Sequence, residues 1–289
     1  MIGVVILNYN SSSDTLKCID FLSRQEDVAL DIIVVDNASA SSDDVDALRM
    51  ACESKGARFH AAPHNRGYNA GNNIGIRMAL DAGCDAVMIA NPDMEFPDTA
   101  YVATIYRELM SRPGCAAISG AILSPDGRYQ TPMKPDGSWT GSLAWIRDVL
   151  SLRSKRSSNT DSFIDAPATP HQCHKLSGCC LMLRGDYLRE HGLFDENLFL
   201  YCEESVLSRR IEAAGCTMYY TPAVKAVHRH ISGAKGDPRP RFRHWRDSRL
   251  YFIRRYSRWP WYGRMIASLS FRLYTFIMIT LHSIRHQSR

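Results

Sequence analysis

Three short apolar runs in the first third of the sequence each end in residues that can coordinate a cation or hydrogen-bond a ligand. The polar residues that follow these runs are Asn8-Tyr9-Asn10, Asp36-Asn37 and Asn91-Pro92-Asp93. A divalent cation that serves a diphosphate needs only one or two protein carboxylates, because phosphate and water oxygens complete its coordination shell. Asp93 with Asn91 could provide this, with Glu95 in reserve. The alternative for the same residues is an ordinary Asn-Pro turn.

A second set of candidates lies in the segment HNRGYNAGNNIGI, residues 64–76. Glycines such as Gly67 allow the backbone to approach a ligand closely, and Arg66 carries a guanidinium that can bind phosphate with two parallel hydrogen bonds. The segment is neither a GxGxxG motif nor a P-loop with its lysine, which disfavours hydride transfer and P-loop chemistry. It favours a cradle for a nucleotide diphosphate over the alternative, a glycine-rich turn in which Asn73 caps a helix.

Two adjacent carboxylates, Glu203 and Glu204, open a helix predicted over residues 203–214. The helix dipole alone explains acidic residues in a first turn. Beside a cleft, however, like charge raises the pKa of one of two neighbouring carboxyls, so the pair could also supply a general base. Farther along the chain, His228 or His230 could complete a metal site with Asp93.

The apolar runs that carry these residues alternate with amphipathic helices. Apolar side chains recur at helical spacing over Ser13–Gln25, Asp43–Lys55 and Asn73–Ala82. Strands that alternate with helices predict an α/β fold with a mostly parallel central sheet and helices on both faces. Because ligands bind beyond the carboxyl ends of such strands, the polar residues that follow the three runs are expected to line one site.

The composition is that of a globular protein in a reducing compartment. The 289 residues are 45% hydrophobic and 22% charged, and the nine cysteines are scattered, which argues against a disulfide framework. The five His and Cys residues within 171–180 match no standard zinc spacing, so no zinc site is predicted. The first residues, MIGVVILNYN, predict a core strand and not a signal peptide, because no basic region precedes the apolar ones.

Charge is distributed unevenly along the chain. Residues 225–289 contain 15 Lys and Arg and two acids, a net +13, whereas the other 224 residues carry 20 basic and 28 acidic side chains, a net −8. A basic, aromatic end on an acidic body favours contact with an anionic membrane surface. The stretch Met265–Leu281, interrupted by Arg272, is too short and too polar to identify a transmembrane helix by itself, which favours an interfacial helix. A helix packed on the domain is the alternative, and the absence of a recognition motif disfavours nucleic acid as a partner.

Taken in order, the segments NYN, VDNAS, NRGYNAGNN, NPD, SGCCLMLR, FDE, EES and HxxxS resemble the inverting, nucleotide-sugar-dependent glycosyltransferases of the GT-A fold, family 2. The similarity covers about residues 1–232 and is strongest to the branch that includes bacterial rhamnosyltransferases of cell-surface polysaccharide synthesis. It implies a GT-A, Rossmann-like catalytic domain over residues 1–232, followed by a basic, aromatic helical region over 233–289. The implied location is cytoplasmic, peripheral on the inner face of the bacterial cytoplasmic membrane.

The resemblance also implies roles for individual residues. Those implied to bind the nucleotide-sugar donor are Tyr9, Asn10, Asp36, Arg66, Gly67, Asn69 and Asn91. Asp93 stands in the family's metal-binding Asp-x-Asp motif, and His228 stands where a further metal ligand is found. Glu203-Glu204 matches the family's Glu-Asp pair, whose second acid deprotonates the acceptor hydroxyl. Because the run here is Glu-Glu-Ser-Val-Leu and not Glu-Asp-x-Asp-Leu, the base assignment stays open between the two glutamates.

The implied activity is sugar transfer, with rhamnose from dTDP-rhamnose preferred, to a hydroxyl of a lipid-linked or polysaccharide acceptor. A divalent cation, Mg²⁺ or Mn²⁺, is the implied cofactor. Two alternatives remain: a UDP-sugar-dependent transferase of the same family, and a catalytically impaired homologue that binds nucleotide sugars. The implied partners are the donor, the acceptor and an anionic membrane surface, without nucleic acid. The sequence does not predict the oligomeric state.

Overall fold

The N-terminal half alternates strands and helices as predicted. The computed structural model describes residues 1–146, 168–229, 237 and 239–287, with side chains to residue 283. The first elements are β1 (Ile2–Asn8), α1 (Ser12–Leu22), β2 (Leu30–Asp36), α2 (Ser42–Ser54), β3 (Arg58–Ala61), α3 (Tyr68–Asp81) and β4 (Ala86–Ala90). Strands β3, β2, β1 and β4 lie side by side in that order and pair in parallel. Every residue of β1 and β4 is buried, which explains why these strands are continuous apolar runs.

The second half extends the sheet with antiparallel pairs. Its elements are β5 (Met94–Glu95), α4 (Tyr101–Met110), β6 (Cys115–Leu123), a 3₁₀ helix (Trp139–Leu143), β7 (His171–Cys173), β8 (Cys180–Arg184), α5 (Gly185–His191), α6 (Glu203–Ala213), β9 (Thr217–His228), α7 (Arg239–Arg255) and α8 (Trp261–Gln287). Beyond β4 the order is β8, β6, β9 and β5, with β7 also on β9. Since β8 is antiparallel to both neighbours, the sheet is parallel in its first half and mixed beyond it. Because β8 runs antiparallel to β4, the first residues of β8 lie at the edge of the sheet where β4 ends.

Helices cover both faces of the sheet, and the predicted α/β fold is confirmed. On one face, α1, α2 and α4 contribute Ile19, Leu48 and Ile105 to a core cluster. On the other face, α3 and α5 contribute Ile76 and Leu188 to a second cluster, which α6 also joins. The helix predicted at Glu203–Ala214 is present over Glu203–Ala213. The sequence also predicts a helix over Ser142–Leu152, most of which lies outside the described residues.

The two C-terminal helices pack on the rest of the molecule. Phe252 and Ile253 of α7 and Ala267 of α8 form a third core cluster with Leu198 and Val206, which lie before and within α6. Helix α8 is longer than the predicted apolar stretch, and its 23 residues from Trp261 to Ser283 are long and apolar enough to cross a membrane. The predicted stretch therefore underestimated the length of the apolar helix, while its interfacial placement stays a prediction. One such helix, judged by length and composition, is weak evidence for a span.

Candidate active site

Three of the residues predicted to bind the nucleotide-sugar donor, Tyr9, Asn10 and Asp36, lie where β1 and β2 end. Asn8 and Asp36 are paired in the strand register. The buried Asp36 carboxylate accepts hydrogen bonds from Asn8 Nδ2 at 2.7 Å, from Ser39 Oγ at 2.6 Å and from the Ser39 amide at 3.0 Å. Asn10 lies over the same turn, with its amide donating to Ser39 Oγ at 2.8 Å, and Tyr9 beside it is half exposed. The structure thus brings Tyr9, Asn10 and Asp36 together, with Asp36 at the buried base of the group.

Gly67 permits a close approach between the start of α3 and a distant loop. Its φ is +96°, and a Cβ at this position would lie 2.3 Å from the carbonyl oxygen of Phe199. The next amide, that of Tyr68, donates to the same carbonyl at 2.7 Å. Any side chain would therefore both strain the backbone and push the two segments apart. Gly67 positions the start of α3 against the loop that leads to α6.

The two other residues predicted for the diphosphate cradle are placed differently from each other. Asn69 is buried, and its Nδ2 donates to the carbonyl of Asp195 at 2.8 Å, so it fastens the loop before α6 to α3. Arg66 is largely exposed and makes an ion pair with Glu196 at 3.2 Å. An exposed guanidinium of this kind remains accessible to phosphate oxygens. Arg66 therefore presents its guanidinium to solvent, whereas the side-chain amide of Asn69 is buried.

The two predicted metal ligands lie against each other because of strand pairing. Strands β5 and β9 pair antiparallel with Met94 opposite His228, and the amide of Arg229 donates to the Asp93 carbonyl at 2.9 Å. This register places Asp93 Oδ1 3.2 Å from His228 Nε2. Burial lowers the pKa of His228, but the neighbouring Cys179 and Asp93 raise it more strongly, to about 10. Glu95 pairs with Arg229 instead of joining this group.

The donor set of this pair suits a cation that also binds a diphosphate. Within the described part of the chain, no group of three or more His, Cys, Asp or Glu residues could hold a metal ion by itself. A carboxylate and an imidazole in contact are nevertheless enough where phosphate and water oxygens supply the remaining ligands, because a cation that binds here displaces the imidazole proton. Asp93 and His228 therefore fit the implied cation.

Tyr68 links the cation-binding motif to the acidic pair, and sequence reasoning missed it. Its hydroxyl lies 3.0 Å from Asn91 Oδ1 and 2.8 Å from the carbonyl of Gly178. The backbone amide of Asn91 also donates to the carbonyl of Cys179 at 2.8 Å, so the turn after β4 is bound to the start of β8. The side-chain oxygen of Asn91 is thus held by Tyr68. Nothing in the sequence marks this tyrosine, because its role depends on β8 running beside β4.

Glu203 and Glu204 begin α6 immediately after a left-handed turn. Tyr201 and Cys202 have φ values of 73° and 66°, a conformation that non-glycine residues adopt only where surrounding structure imposes it. The turn directs the first residues of α6 at the start of β8, where the Gly178 amide donates to Glu204 Oε1 at 3.3 Å. Both acids border an open cavity of about 510 Å³.

The environments of the two glutamates differ. Oε2 of Glu203 is buried and has no hydrogen-bond partner among the described residues. Burial, and then the charge of Glu204, raises the pKa of Glu203 well above its usual range. Glu203 therefore favours its protonated form, and the backbone amide of Gly178 orients Glu204. A carboxyl oriented by a backbone amide next to a carboxyl with a raised pKa, both beside one cavity, is an arrangement suited to proton transfer.

Comparison with known proteins identifies the family. Residues 3–192, more than half of the chain, match the model for "Glycosyl transferase family 2". The chain belongs to glycosyl transferase family 2. As the resemblance implied, it is a glycosyltransferase with the GT-A fold. The fold is shared with the solved mannosyltransferase PcManGT from Pyrobaculum calidifontis in complex with GDP-Man and Mn²⁺, at a TM-score of 0.58 and 18% identity over 98% of this chain and 73% of that one.

Two curated relatives are similar in sequence. The low-salt glycan biosynthesis hexosyltransferase Agl10 of Haloferax volcanii is 28% identical over 78% of this chain and 66% of its own length, so the chain spans just under two thirds of that protein. The N-acetylglucosaminyl-diphospho-decaprenol L-rhamnosyltransferase of Mycobacterium tuberculosis is 24% identical over 99% of this chain and 96% of its own length. The relatives therefore include a hexosyltransferase and a rhamnosyltransferase.

Proposed function

We propose that this family 2 enzyme is an inverting glycosyltransferase that moves rhamnose from dTDP-rhamnose to a hydroxyl of a lipid-linked acceptor in cell-surface glycan synthesis. The observation that carries the proposal is the link through Tyr68, which joins Asn91 of the cation motif to Gly178, whose amide binds Glu204. Rhamnose and a lipid-linked acceptor are preferred because the mycobacterial relative, whose name specifies both, aligns along almost the whole chain. A UDP-sugar donor is the alternative.

Glu204 is the proposed general base. An acceptor hydroxyl in the cavity beside Glu204 loses its proton to the carboxylate as its oxygen attacks the anomeric carbon. The new carbon–oxygen bond forms on the face opposite the departing nucleoside diphosphate, whose bond to the same carbon breaks, so one displacement inverts the configuration. Asp93 and His228 would hold Mg²⁺ or Mn²⁺, which when bound neutralises charge on the leaving diphosphate. Glu203, which favours its protonated form, limits the negative charge beside the base.

The donor's nucleotide is proposed to lie along the carboxyl edge of β1 and β2. Tyr9 has half of its surface exposed and can stack on a base, while Asn10 lies beside it above the buried Asp36. Arg66 is proposed to contact phosphate oxygens. Gly67 and Asn69 are proposed to support this site through the backbone contacts that hold the start of α3 in place.

A panel of nucleotide sugars in a thermal-shift assay tests the proposed donor. We expect dTDP-rhamnose with Mn²⁺ or Mg²⁺ to raise the melting temperature by several degrees, since a ligand at 100 times its Kd adds about 2.7 kcal/mol to stability. The same donor in EDTA is expected to give a smaller shift. A larger shift with a UDP-sugar would replace the preferred donor, and no metal-dependent shift with any nucleotide sugar would contradict the proposal.

The C-terminal region, residues 233–289, is proposed to bring the catalytic domain, residues 1–232, to the inner face of the cytoplasmic membrane. Trp261, Leu269 and Phe276 of α8 are between 60% and 70% exposed. Arg264 and Arg272 lie on the same helix and line a cavity between α7 and α8. Exposed apolar residues next to arginines suit the boundary between anionic headgroups and acyl chains.

Vesicle co-sedimentation tests the membrane proposal. We expect the protein to pellet with vesicles that contain anionic phosphatidylglycerol, and much less with pure phosphatidylcholine. Replacing Leu269 and Phe276 together by serine is expected to reduce the bound fraction severalfold, because apolar burial of these side chains contributes roughly 1.5–3 kcal/mol each. Equal binding of both vesicle types, or an unchanged bound fraction in the double variant, would contradict the proposal.

A further inference from the structure

The cavity beside the catalytic acids has a cationic wall that the proposed transfer chemistry does not use. Besides Glu203 and Glu204, its lining includes Lys134, Lys175 and Arg249. These cations come from three separate parts of the chain, a loop after β6, the segment before β8 and helix α7. Their convergence on one cavity points to an anionic ligand in the same space as the acceptor.

The two better-buried cations share one carboxylate. Lys175 Nζ lies 3.5 Å from Asp136 Oδ1, and Arg249 Nη1 lies 3.7 Å from the same atom. That oxygen also accepts a hydrogen bond from the Ser205 hydroxyl at 2.8 Å. Lys175 is only 8% exposed, and burying a lysine is costly unless its charge is compensated. One carboxylate at these distances leaves capacity for further anionic oxygens around both cations.

The two cations and the proposed base line the same cavity. Ser205 follows Glu204 in α6, so the carboxylate shared by Lys175 and Arg249 is bound to the residue next to the acid pair. A sugar whose hydroxyl faces Glu204 would direct its far side, where its anomeric substituent is attached, at Lys175 and Arg249. An acceptor sugar with an anionic group joined directly to its anomeric carbon would therefore suit both the proposed base and the two cations.

Aromatic contacts connect the cavity to α8. Trp245 lines the cavity and contacts Phe271 of α8 at a ring distance of 4.4 Å and Tyr274 at 6.1 Å. The neighbouring residues Leu273 and Phe276 of α8 are 51% and 67% exposed. Cations in the cavity and aromatic side chains leading away from it suit a ligand that is anionic at one end and apolar at the other.

We propose that Lys175 and Arg249 bind the diphosphate of a prenyl-diphosphate-linked sugar acceptor, with the sugar at Glu204 and the prenyl chain along Trp245 towards α8. This inference rests on the proposed function, because it assigns a second subsite to the same acceptor. It adds a chemical requirement, since the enzyme then discriminates between a sugar on a lipid diphosphate and the same sugar on an uncharged alkyl chain.

Direct binding of farnesyl diphosphate in EDTA tests the subsite, because without a cation the donor site has little affinity for diphosphate. We expect saturable binding to the wild-type protein, and at least tenfold weaker binding by Lys175→Met and by Arg249→Met. Arg254→Met is the matched control, since Arg254 lies on the same helix outside this cavity, and its affinity is expected to stay within twofold. Absence of saturable binding to the wild type, or equal affinity in all three variants, would overturn the inference.

Asp136→Asn distinguishes ligand binding from a purely structural ion cluster. If Lys175 and Arg249 serve a ligand, removing the competing carboxylate leaves farnesyl diphosphate binding as tight as in the wild type or tighter. If the cluster only fastens the loop around Asp136, the variant loses both melting temperature and binding, which would overturn the inference.

A kinetic ratio completes the test and separates it from the proposed function. The ratio of kcat/KM for a prenyl-diphosphate-linked sugar to that for its alkyl glycoside is expected to fall at least tenfold in Lys175→Met. An unchanged ratio would overturn the subsite while donor-dependent transfer still supports the glycosyltransferase proposal. Loss of donor binding in the wild type would instead contradict the proposed function itself.

Discussion

Replacing Glu204 by glutamine is expected to lower the rate of sugar transfer on the order of a thousandfold while donor binding stays within a few-fold of the wild type. The amide preserves the size of the side chain, and its oxygen can still accept the hydrogen bond from the Gly178 amide. It cannot accept the proton of the acceptor hydroxyl. The variant therefore removes the general base while keeping the hydrogen bond that the Gly178 amide donates to this side chain.

Glu203→Gln is the matched control, because it makes the same chemical change at the adjacent residue. Since Glu203 favours its protonated form, an amide reproduces its charge, and we expect the transfer rate to fall by less than about tenfold. Single-turnover rates at saturating donor, with donor affinity measured separately, provide the comparison. The reverse pattern, an inactive Glu203 variant and an active Glu204 variant, would exchange the two roles. Full activity in both would sink the mechanism and favour the view that neither acid is catalytic.

Glu203 also predicts a pH dependence of stability. Its pKa is raised in the folded state, so the folded protein binds this proton more tightly than the unfolded chain does. The stabilisation from that proton is present at pH values below the unfolded-state pKa of about 4.3 and is lost as the pH rises towards the raised value. The melting temperature of Glu203→Gln minus that of the wild type should therefore be larger at pH 8 than at pH 5. A melting-temperature difference between variant and wild type that stays constant from pH 5 to pH 8 would contradict the raised pKa of the buried Glu203 carboxyl.

Sequence patterns sufficed for the strand ends, because fully buried parallel strands are uninterrupted apolar runs and their ends are visible. Asn8 and Asp36 were predicted at one edge, and the pairing of β1 with β2 places them opposite each other. The start of α6 at Glu203 was also predicted, from adjacent acids before a helical pattern. These features depend on local residue order, and the physical rules that govern them act over a few residues.

Contacts that depend on antiparallel strand pairing could not be derived from local patterns. Asp93 and His228 were paired in the sequence analysis from their residue types and from the family resemblance, but the contact itself requires β5, a two-residue strand with no apolar pattern of its own, to pair with the end of β9. The link through Tyr68 and the cluster around Asp136 likewise require segments far apart in the chain to meet. For the same reason, Asn69 could be predicted as polar and available, but not as a buried anchor for the carbonyl of Asp195.

The C-terminal helices are more closely integrated with the catalytic region than their composition suggests. The hydroxyls of Tyr251 and Tyr256 donate to Asp195 Oδ2 at 2.9 Å and 2.6 Å, and these bonds help to hold the pKa of Asp195 below its usual value against the opposing effect of burial. The adjacent Asp195 carbonyl is the one that binds Asn69 of α3. Helix α7 is thus connected, through one loop, to the start of the proposed diphosphate site. Contact of α8 with a membrane would orient the cavity as well as tether the protein.

Replacing Asp93 by asparagine is expected to abolish the metal-dependent part of donor binding and to lower transfer on the order of a hundred- to a thousandfold. A cation contributes several kcal/mol to stabilising the leaving diphosphate, and each 1.4 kcal/mol is a factor of ten in rate. The backbone contact between Asp93 and Arg229 does not involve the side chain, so the pairing of β5 with β9 is expected to persist. Mn²⁺-dependent stabilisation by the nucleotide sugar, measured by thermal shift, is a readout that does not require activity.

Glu95→Gln is the control for Asp93, because it removes the other carboxylate of the same motif. Glu95 pairs with Arg229 and not with His228, so its loss should leave the response to Mn²⁺ intact. His228→Ala should weaken the response less than Asp93→Asn, since a hard cation prefers the carboxylate to the imidazole. If Asp93→Asn responds to Mn²⁺ as the wild type does, Asp93 is not the ligand. If Glu95→Gln loses the response instead, the cation is bound by Glu95 in β5 and not by Asp93.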